Sequence, residues 1–413
     1  MRIAVVHGVG FFYSGGGEKL VIQEVLGLRE RGHQVECFAP VVDPRRCFPG
    51  WLERVGAQRV VPRLPGALPY GDAVAVIAAS YDARRVARRF RGFDVVLAAN
   101  QPGPHLAWWA AQEHGVPYVI YLAQPLRLLH PRAIDRGNGV SAKRDYDLLH
   151  RLAPLGRRTI EVADERSVAG ARLALANGTY MRGVLERVYA RPFVSCPAGA
   201  ALVEGDADRA RGDIVVNGAR IRKPFVLLTN RHFPQKRFEY AIEALDHPEL
   251  ARRGTELVIS GQATAYTARL RRLVASRGLA ERVRFVGLAS EADLARLYAA
   301  AACYVYPSPE EDFGMGVVEA MAAATPVVAW DHAGPTGTMV QGQTGYLVPA
   351  GDVAAFAERV AEIVTDEPLA RRLGRAAQTH VRSNFTLQRH LDGIETALGA
   401  AATAGRSVGA RIA

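Results

Sequence analysis

The sequence contains little cysteine and no long apolar run, and both shortages restrict the classes of protein to which it can belong. Its 413 residues include four cysteines and no Cys-x-x-Cys pair, which favours reduced, buried thiols in a reducing compartment over a disulfide framework or a zinc site. No apolar stretch approaches the roughly 20 residues of a membrane-spanning helix. The short apolar start runs into SGGGEK at residues 14–19, which is typical of a first strand rather than a signal peptide. We therefore expect a cytoplasmic protein.

The formal net charge of +11 raises the question of an acidic partner. RNA-binding, zinc-finger and helix-turn-helix signatures are missing from the sequence, so we expect no nucleic-acid partner. The densest basic cluster, residues 82–91, has Val86 and Phe90 at helical spacing with arginines around them. A solvated helix face is the favoured interpretation of this cluster. The alternative is a patch that contacts an anionic membrane surface and makes the protein peripheral to the inner face of the membrane.

The length and the alternation of patterns predict an α/β protein of two domains. Single cores stop growing at roughly 250 to 300 residues. Short β-rich runs alternate with longer helical patterns in both halves, which indicates two Rossmann-like domains with parallel sheets. Ligands of such sheets bind beyond the carboxyl ends of the strands. Strands are predicted at residues 3–6, 35–39, 94–98, 118–122, 225–228, 256–260, 283–286, 303–306 and 327–330.

Between residues 196 and 222 the sequence is rich in Pro, Gly and Asp and has no apolar period, which predicts an interdomain segment. We place an N-terminal domain at residues 1–205 and a C-terminal domain at residues 206–385. Residues 386–413 are expected to form a helix and a disordered tail. The last helical pattern, residues 367–398, contains a break at Asn384, Phe385 and Thr386.

Two carboxylates stand eight positions apart in SPEEDFGMGVVEAMAAATPVV, residues 308–328. A helix that begins near Met315 would direct the free amides of its first turn at an anion, and Gly314 allows a ligand to approach the backbone closely. Glu319, one turn into the helix, could accept hydrogen bonds from vicinal hydroxyls, while Glu311 stays on the loop. The plain alternative is an ordinary helix with two solvated acids.

This stretch resembles the E-x7-E region of the retaining glycosyltransferases of family 4, in their hexosyl- and mannosyltransferase-like branch. The resemblance implies the GT-B fold, in which two facing Rossmann-like domains hold the donor in the cleft between them and a C-terminal helix returns to the N-terminal domain. It also implies that the N-terminal domain, residues 1–205, binds the acceptor and that the C-terminal domain, residues 206–385, binds the nucleotide sugar. LTNRHFPQKR at residues 228–237 resembles the segment of that family whose Arg and Lys, here Arg231 and Lys236, hold the donor diphosphate. An Arg fork and a Lys point charge suit a dianionic leaving group.

The glycine loop near the N-terminus resembles the first glycine loop of the family. Gly15 and Gly16 would let backbone amides reach the sugar or the diphosphate. A dinucleotide site is disfavoured, because Gly8 and Gly10 are followed by Tyr13 where a third glycine is needed. The family's sugar-contacting histidine is assigned either to His105 or to a position near Asn100; for His105 the alternative is an ordinary helix-start histidine. The sequence departs from the family at two positions, Ala123 in place of a histidine and Gly337 in place of a glutamate.

The resemblance implies transfer of a hexose from a GDP- or UDP-linked sugar to a hydroxyl, with retention of configuration. Arg231 and Lys236 would stabilise the leaving diphosphate, Glu311 would orient the sugar, and Glu319 would bind the ribose. It implies no metal ion and no cofactor besides the nucleotide-sugar co-substrate. The acceptor is left open between a glycan, a lipid-linked substrate and a small natural product. The alternative functions are a catalytically inactive GT-B binding partner and, less favoured, an NAD-dependent enzyme.

Overall fold

The computed structural model describes residues 1–62, 71–132, 144–200 and 214–409, without the side chains of residues 144–155 and 404–409. The described residues form two compact units. The first comprises residues of Met1–Ala133, Lys143–Ala198 and Leu387–Ala413, and the second comprises residues of Gly199–Thr386. The predicted domain boundary at residue 205 lies outside the described residues.

The first unit is built on a seven-stranded parallel sheet with the order β3-β2-β1-β4-β5-β6-β7. Successive strands are added outwards from β1 on one side and from β4 on the other, so the strand order reverses between β1 and β4. The strands are β1 Arg2–His7, β2 Gln34–Ala39, β3 Gln58–Arg59, β4 Val95–Ala99, β5 Tyr118–Leu122, β6 Leu173–Ala176 and β7 Val194–Ser195. The helices are Gly16–Glu30, Trp51–Val55, Gly71–Tyr81, Ala83–Ala87, Gly103–His114, Arg144–Ala169, Gly178–Tyr189 and Leu387–Gly409.

The second unit repeats this design with a six-stranded parallel sheet, β12-β11-β10-β13-β14-β15. Its order reverses between β10 and β13, which pair in parallel. The strands are β10 Phe225–Thr229, β11 Glu256–Ser260, β12 Val283–Gly287, β13 Cys303–Tyr306, β14 Val327–Trp330 and β15 Gly345–Val348. The helices are Phe238–Ala244, Pro248–Arg252, Ala265–Ser276, Glu291–Ala300, Met315–Ala322, Pro335–Thr338, Val353–Thr365 and Glu367–Asn384.

The strands form where apolar residues follow one another without a polar interruption. All five residues of β4 and all five of β5 are buried, as expected of central strands covered by helices on both faces. Each sheet has its own apolar core, which in the second unit includes Phe238, Trp330 and Phe356. Two Rossmann-like units were predicted from this alternation, and the structure confirms them.

A short hairpin, β8 Ile214–Val216 and β9 Ala219–Ile221, precedes the second sheet. From the lack of an apolar period, this stretch was predicted to be an interdomain segment. Its turn residues, Asn217 and Gly218, both have positive φ, the conformation that a two-residue hairpin turn needs and that Asn-Gly adopts readily. The Asn-Gly dipeptide was therefore a sequence signal for the hairpin, although the apolar periodicity of this stretch gave none.

The last helix of the chain belongs to the first unit, although the second unit precedes it in the sequence. The helix Glu367–Asn384 ends at the predicted break, and the next helix, Leu387–Gly409, packs against Gly16–Glu30 and strands β4 and β5. It continues to Gly409, whereas the sequence composition predicted a frayed tail past Ala400; residues 410–413 lie outside the described part. None of the helices described is long and apolar enough to cross a membrane.

Candidate functional site

The polar residues of the second unit converge where its strand order reverses. Strands β10 and β13 are neighbours, and the loops that leave their carboxyl ends contain Arg231 and Lys236 on one side and Glu311 on the other. Open α/β sheets bind their ligands at this kind of position, because the loops on the two sides diverge and leave a crevice. Residues 75 positions apart in the sequence, Lys236 and Glu311, thereby come into contact.

Glu311 receives contacts from two side chains at one of its carboxylate oxygens. Its Oε2 lies 2.5 Å from the Nζ of Lys236 and accepts a hydrogen bond of 2.6 Å from the hydroxyl of Tyr306. The amide of Asn230 in turn lies 3.5 Å from that hydroxyl. Burial, followed by the negative charge of Glu311, raises the pKa of Tyr306 well above its ordinary value. Tyr306 is therefore a fixed donor that orients the carboxylate.

Glu319 is held by a separate chain of hydroxyl groups. Its Oε2 accepts from the hydroxyl of Tyr298 at 3.0 Å, and that hydroxyl lies 2.9 Å from the hydroxyl of Thr229, the last residue of β10. Thr229 also lies 2.9 Å from the hydroxyl of Tyr304. Burial first, and then the charge of Glu319, raises the pKa of Tyr298. This chain of hydroxyl groups fixes the rotamer of Glu319.

The helix Met315–Ala322 begins where the sequence predicted. Its preceding residue, Gly314, has φ +88°, a conformation in which a larger residue would be strained. A Cβ on Gly316 would lie 2.3 Å from the Tyr304 hydroxyl. Glycine at this position therefore allows the first turn of the helix to approach Tyr304 of β13 closely. The helix has no side-chain N-cap, and its first amides carry the positive end of the helix dipole.

The loop after β10 packs closely against Gly261, which directly follows the neighbouring strand β11. A Cβ on Gly261 would overlap the carbonyl oxygen of Asn230 at 1.8 Å. The guanidinium of Arg231 stands 5.1 Å from the centre of the Phe233 ring, and Lys236 ends the 3-10 turn Pro234–Lys236. Arg231 and Lys236 thus lie on a short loop whose backbone packs closely against Gly261.

A third loop supports Glu311 from its backbone side. The amide of Gly334 donates to the carbonyl oxygen of Glu311 at 2.7 Å, and a Cβ on Gly334 would lie 2.6 Å from the backbone nitrogen of Phe313. The helix Pro335–Thr338 follows and contains Gly337. Gly337 is the position at which the family resemblance implies a glutamate. It therefore lies in a segment that begins beside Glu311.

In the first unit the glycine loop ends at the amino end of a helix. Gly15 is extended at φ −139° and Gly16 is the first helical residue. A Cβ on Gly15 would lie 2.6 Å from Oε2 of Glu18, so a larger residue there would displace the end of this buried side chain. Oε1 of Glu18 lies 3.8 Å from Nε2 of His7, the last residue of β1. The sequence analysis missed both of these buried groups.

The structure separates the two positions proposed for a sugar-contacting residue. Asn100 follows β4 and has φ +58°, and its Oδ1 accepts from the amide of Ala123 after β5 at 3.0 Å. His105 lies in the first turn of Gly103–His114. Its ring bonds to the backbone of Ser80, and burial lowers its pKa. Asn100 thus directly follows a strand at the carboxyl edge of the sheet, and His105 lies in the first turn of the helix that comes next.

Among the described residues, no group of three or more His, Cys, Asp or Glu side chains is arranged to hold a metal ion.

Two family descriptions match the chain in consecutive parts. "Glycosyltransferase Family 4" matches residues 14–192, and "Glycosyl transferases group 1" matches residues 213–380. The chain belongs to the family-4 glycosyltransferases. The first match contains the glycine loop and the second contains Glu311, Glu319, Arg231 and Lys236, so all three segments on which the resemblance rested lie inside the matched regions.

Curated relatives of this family-4 chain carry several names. Phosphatidyl-myo-inositol mannosyltransferase of Mycobacterium leprae is 26% identical over 399 residues, which is 92% of each chain. D-inositol 3-phosphate glycosyltransferase of Streptomyces avermitilis is 29% identical over 299 residues, 70% of this chain and 61% of the relative. Lipopolysaccharide core biosynthesis mannosyltransferase LpcC of Rhizobium leguminosarum is 37% identical over 141 residues, 33% of this chain and 40% of the relative. The last two matches span less than two thirds of the relatives' length.

Solved structures show the same fold over nearly the whole chain. HepE of Anabaena in complex with UDP-glucose has a TM-score of 0.72 at 20% identity and covers 97% of this chain and 100% of its own. WaaG, a glycosyltransferase involved in lipopolysaccharide biosynthesis, has a TM-score of 0.65 at 16% identity, with 94% and 98% covered. The GT-B fold predicted for the chain is thereby confirmed.

Proposed function

We propose that this chain transfers a hexosyl group from a nucleoside diphosphate sugar to a hydroxyl group, with retention of the anomeric configuration. The observation that carries the proposal is the arrangement around Glu311. Lys236 contacts this carboxylate, Arg231 lies on the same loop as Lys236, and the amino end of Met315–Ala322 begins four residues after Glu311. Two cations and a helix dipole suit a diphosphate, and the carboxylate beside them suits the sugar attached to it.

The residues have distinct proposed roles. Arg231 and Lys236 neutralise the diphosphate, whose negative charge grows as it leaves. The amides that follow Gly314 bind its oxygens. Glu319 binds the vicinal hydroxyls of the ribose, for which the hydrogen bond from Tyr298 at 3.0 Å holds it in place. Gly15 and Gly16 of the first unit supply backbone amides to the donor.

In the proposed reaction the bond between the anomeric carbon and the phosphate oxygen breaks while a bond to the acceptor oxygen forms on the same face. The departing phosphate oxygen takes the acceptor proton, so the products are the glycoside and the nucleoside diphosphate. Glu311 orients the sugar and supports its developing positive charge. When the donor binds, the ammonium group of Lys236 is shared between Glu311 and the phosphate, which requires only a small movement.

The donor sugar and the acceptor are proposed at the level of chemical class. The names of the relatives favour a hexose such as mannose, and HepE is described with UDP-glucose. The base is uridine or guanosine. The acceptor is a hydroxyl of a glycan, a glycolipid or a small molecule. The reaction is proposed to need neither a metal ion nor a cofactor, because the two cations and the helix supply the positive charge.

The proposed function is tested by ligand-induced thermal stabilisation followed by transfer assays. UDP, GDP, their hexose conjugates and NAD are added separately to the parent and to the Glu319→Ala and Lys236→Ala variants. A nucleotide that binds the native state at a hundred times its dissociation constant stabilises the protein by about 2.7 kcal/mol. We expect one nucleoside diphosphate series to raise the melting temperature of the parent and of neither variant.

The matched control is Glu362→Ala. Glu362 also accepts a hydrogen bond from a tyrosine, Tyr346, at 2.9 Å, but it lies on the helix Val353–Thr365 and belongs to neither loop of the site. Its variant should respond to nucleotide like the parent. Donor binding without hydrolysis or transfer would favour the catalytically inactive partner, and stabilisation by NAD alone would overturn the proposal.

A further inference from the structure

One side chain joins the turn of the hairpin β8–β9 to the carboxyl end of β12. Nδ2 of Asn217 donates to the carbonyl oxygen of Val286 at 2.8 Å and to that of Leu288 at 3.0 Å. Carbonyl oxygens only accept hydrogen bonds, so the amide group of Asn217 uses both of its hydrogens. The hairpin also packs against β12, which lies at the end of the strand order. The turn therefore fixes the last residues of an edge strand.

The conformation of the turn does not by itself require asparagine. Asn217 has φ +48° and Gly218 has φ +79°, and glycine adopts such values without steric cost. Two glycines would reverse the chain equally well, but they would make no side-chain hydrogen bonds. What asparagine adds at this position is the pair of bonds to the end of β12.

The end of β12 that receives these bonds is irregular. The register between β11 and β12 shifts after Ile259, so that Val286 is the extra residue of a bulge. A bulge leaves its extra residue outside the ladder of the sheet and redirects the residues beside it, often next to a binding site. Asn217 thus bonds to the carbonyl group of the residue that the bulge removes from the ladder.

The bulged segment also contacts the neighbouring strand ends. The carbonyl oxygen of Gly287 accepts from the amide of Gly261 at 2.8 Å and from the hydroxyl of Ser260 at 3.1 Å. Gly261 in turn packs on the carbonyl group of Asn230, the residue before Arg231. The ends of β12, β11 and β10 therefore form one row at the carboxyl edge of the sheet, where ligands of such sheets bind.

The donor proposed above would extend along this row. Glu319, the proposed ribose ligand, contacts Tyr298 on the helix Glu291–Ala300, which is the helix that follows β12. Neighbouring strands lie about 4.8 Å apart, so the end of β12 lies roughly 10 Å from the end of β10. A diphosphate bound after β10 does not span that distance, whereas the nucleoside attached to it does.

Leu288 presents a large apolar side chain at this point. It is 69% exposed, so the hydrogen bond from Asn217 does not serve to bury it in the core. An apolar side chain that is held in water beside a ligand site is suited to the flat face of a base, because contact with the base removes the apolar surface of both from water.

We propose that Asn217 is a positioning residue for the donor, which holds Val286 to Leu288 where the nucleoside binds, and that Leu288 packs against the base. The inference rests on the proposed function and names the residues that support the nucleoside half of the donor. A segment that is already held in its bound conformation loses less conformational freedom when the ligand binds. Removing the two bonds therefore weakens nucleotide binding without removing a nucleotide contact.

The test is isothermal titration calorimetry of the full chain with UDP, GDP and inorganic pyrophosphate. Asn217→Gly keeps the turn conformation and removes the two hydrogen bonds. We expect the dissociation constant of the nucleoside diphosphate that the parent binds to rise roughly tenfold. Pyrophosphate reaches only the loop of Arg231 and Lys236, so its dissociation constant should not change. Leu288→Ser should give the same pattern, and its side chain is too exposed to be needed for folding.

Asn384→Gly is the matched control, because it removes the same kind of hydrogen bond in the same unit. Nδ2 of Asn384 donates to the carbonyl oxygen of His380 at 2.9 Å, but Asn384 ends the helix Glu367–Asn384 and belongs to neither loop of the site. This variant should bind all three ligands like the parent. Melting curves followed by circular dichroism show that each variant is folded at the temperature of the titrations.

The results that would overturn the proposal are distinct from those that would overturn the proposed function. If Asn217→Gly or Leu288→Ser binds the nucleoside diphosphate as tightly as the parent does, the inference fails and the proposed function stands. An equal loss of pyrophosphate affinity also overturns it, because Asn217 would then support the whole unit and not the nucleoside. A parent that binds neither UDP nor GDP would overturn the proposed function, and this inference with it.

Discussion

Two side chains contact the same carboxylate oxygen of Glu311, and this arrangement orients the carboxylate. Lys236 and Tyr306 converge on Oε2 at 2.5 and 2.6 Å. Hydrogen bonds to an ionised acceptor are shorter and roughly twice as strong as neutral ones. The orientation of the carboxylate is thus set before a ligand arrives, and a preorganised group loses less free energy when the transition state forms.

The contribution of this orientation can be measured with Tyr306→Phe, which removes one of the two contacts and keeps the ring. A hydrogen bond to a charged group contributes about 1.5–3 kcal/mol, so we expect the turnover number of the proposed transfer to fall roughly tenfold to a hundredfold. The dissociation constant of the nucleotide should change little, because Tyr306 contacts Glu311 and not the proposed diphosphate site. Steady-state rates and equilibrium binding separate the two effects.

Tyr346→Phe is the control for this substitution, since Tyr346 donates to Glu362 at 2.9 Å in the same unit. Its variant should keep the turnover number of the parent. If both phenylalanine variants lose activity equally, or if Tyr306→Phe is fully active, Tyr306 has no special role in positioning Glu311.

At the scale of one element, the helix Leu387–Gly409 is fixed to the first unit by a buried ion pair. Nε2 of His390 lies 2.9 Å from Oε1 of Glu24 on the helix Gly16–Glu30, and both side chains are 0% exposed. Nδ1 of His390 lies 3.1 Å from the carbonyl oxygen of Pro197. A carbonyl and a carboxylate can only accept hydrogen bonds, so both ring nitrogens carry hydrogen and His390 is an imidazolium cation.

Glu24→Gln should therefore destabilise the protein strongly. Removing one partner of a buried pair leaves the other charge uncompensated and costs about 3–5 kcal/mol. For a unit of this size such a loss lowers the melting temperature by roughly 10 °C. Thermal unfolding followed by circular dichroism measures the shift.

The same helix offers a matched surface pair as the control. Glu395 lies 2.8 Å from Arg31 and 2.7 Å from His33, with 36% of its side chain exposed. Exposed pairs contribute about 0–1 kcal/mol, so Glu395→Gln should shift the melting temperature only slightly. Equal shifts in the two variants would show that the Glu24–His390 contact does not hold the helix more firmly than the surface pair.

At the scale of the whole molecule, the same histidine makes stability depend on pH. Burial alone would lower its pKa, but the hydrogen bonds that the ring makes to Cys196 and Glu24 and the charge of Glu24 raise the pKa of His390 from 6.5 to about 10. The ring of Tyr121 also packs against the imidazole. A pKa that is higher in the folded state means that the folded state binds the proton more tightly than the unfolded state.

The expected stabilisation by His390 is therefore fully present below pH 6.5, decreases as the pH rises, and is lost above about pH 10. Across that window the difference in unfolding free energy between the parent and His390→Gln should shrink by at most about 1.4 kcal/mol per pH unit. Denaturant unfolding of both proteins at a series of pH values measures it. A difference that stays constant or grows with pH would contradict a charged His390.

Much of the second unit could be predicted residue by residue. Strands at residues 256–260, 303–306 and 327–330 were predicted with the observed bounds, because parallel strands buried on both faces are continuous apolar runs. The helix start after Gly314 followed from its glycines. The partners of the two carboxylates, Tyr306 and Tyr298, were missed, although Tyr306 is the last residue of a predicted strand. Strand ends can be read from a sequence, but the order of strands in the sheet cannot.

The sequence by itself determined the α/β class, the two Rossmann-like units and the family to which Glu311, Glu319, Arg231 and Lys236 point, because burial pattern and local spacing are properties of short segments. Only the tertiary structure decided that Lys236 and Tyr306 share one oxygen of Glu311, that Asn100 accepts a hydrogen bond from the amide of Ala123, and that Glu24 meets His390 across 366 residues. The physical reason is that such contacts depend on strand order and helix packing. These bring together residues that are far apart in the sequence, and the separation of two residues in the sequence does not determine the distance between them in space.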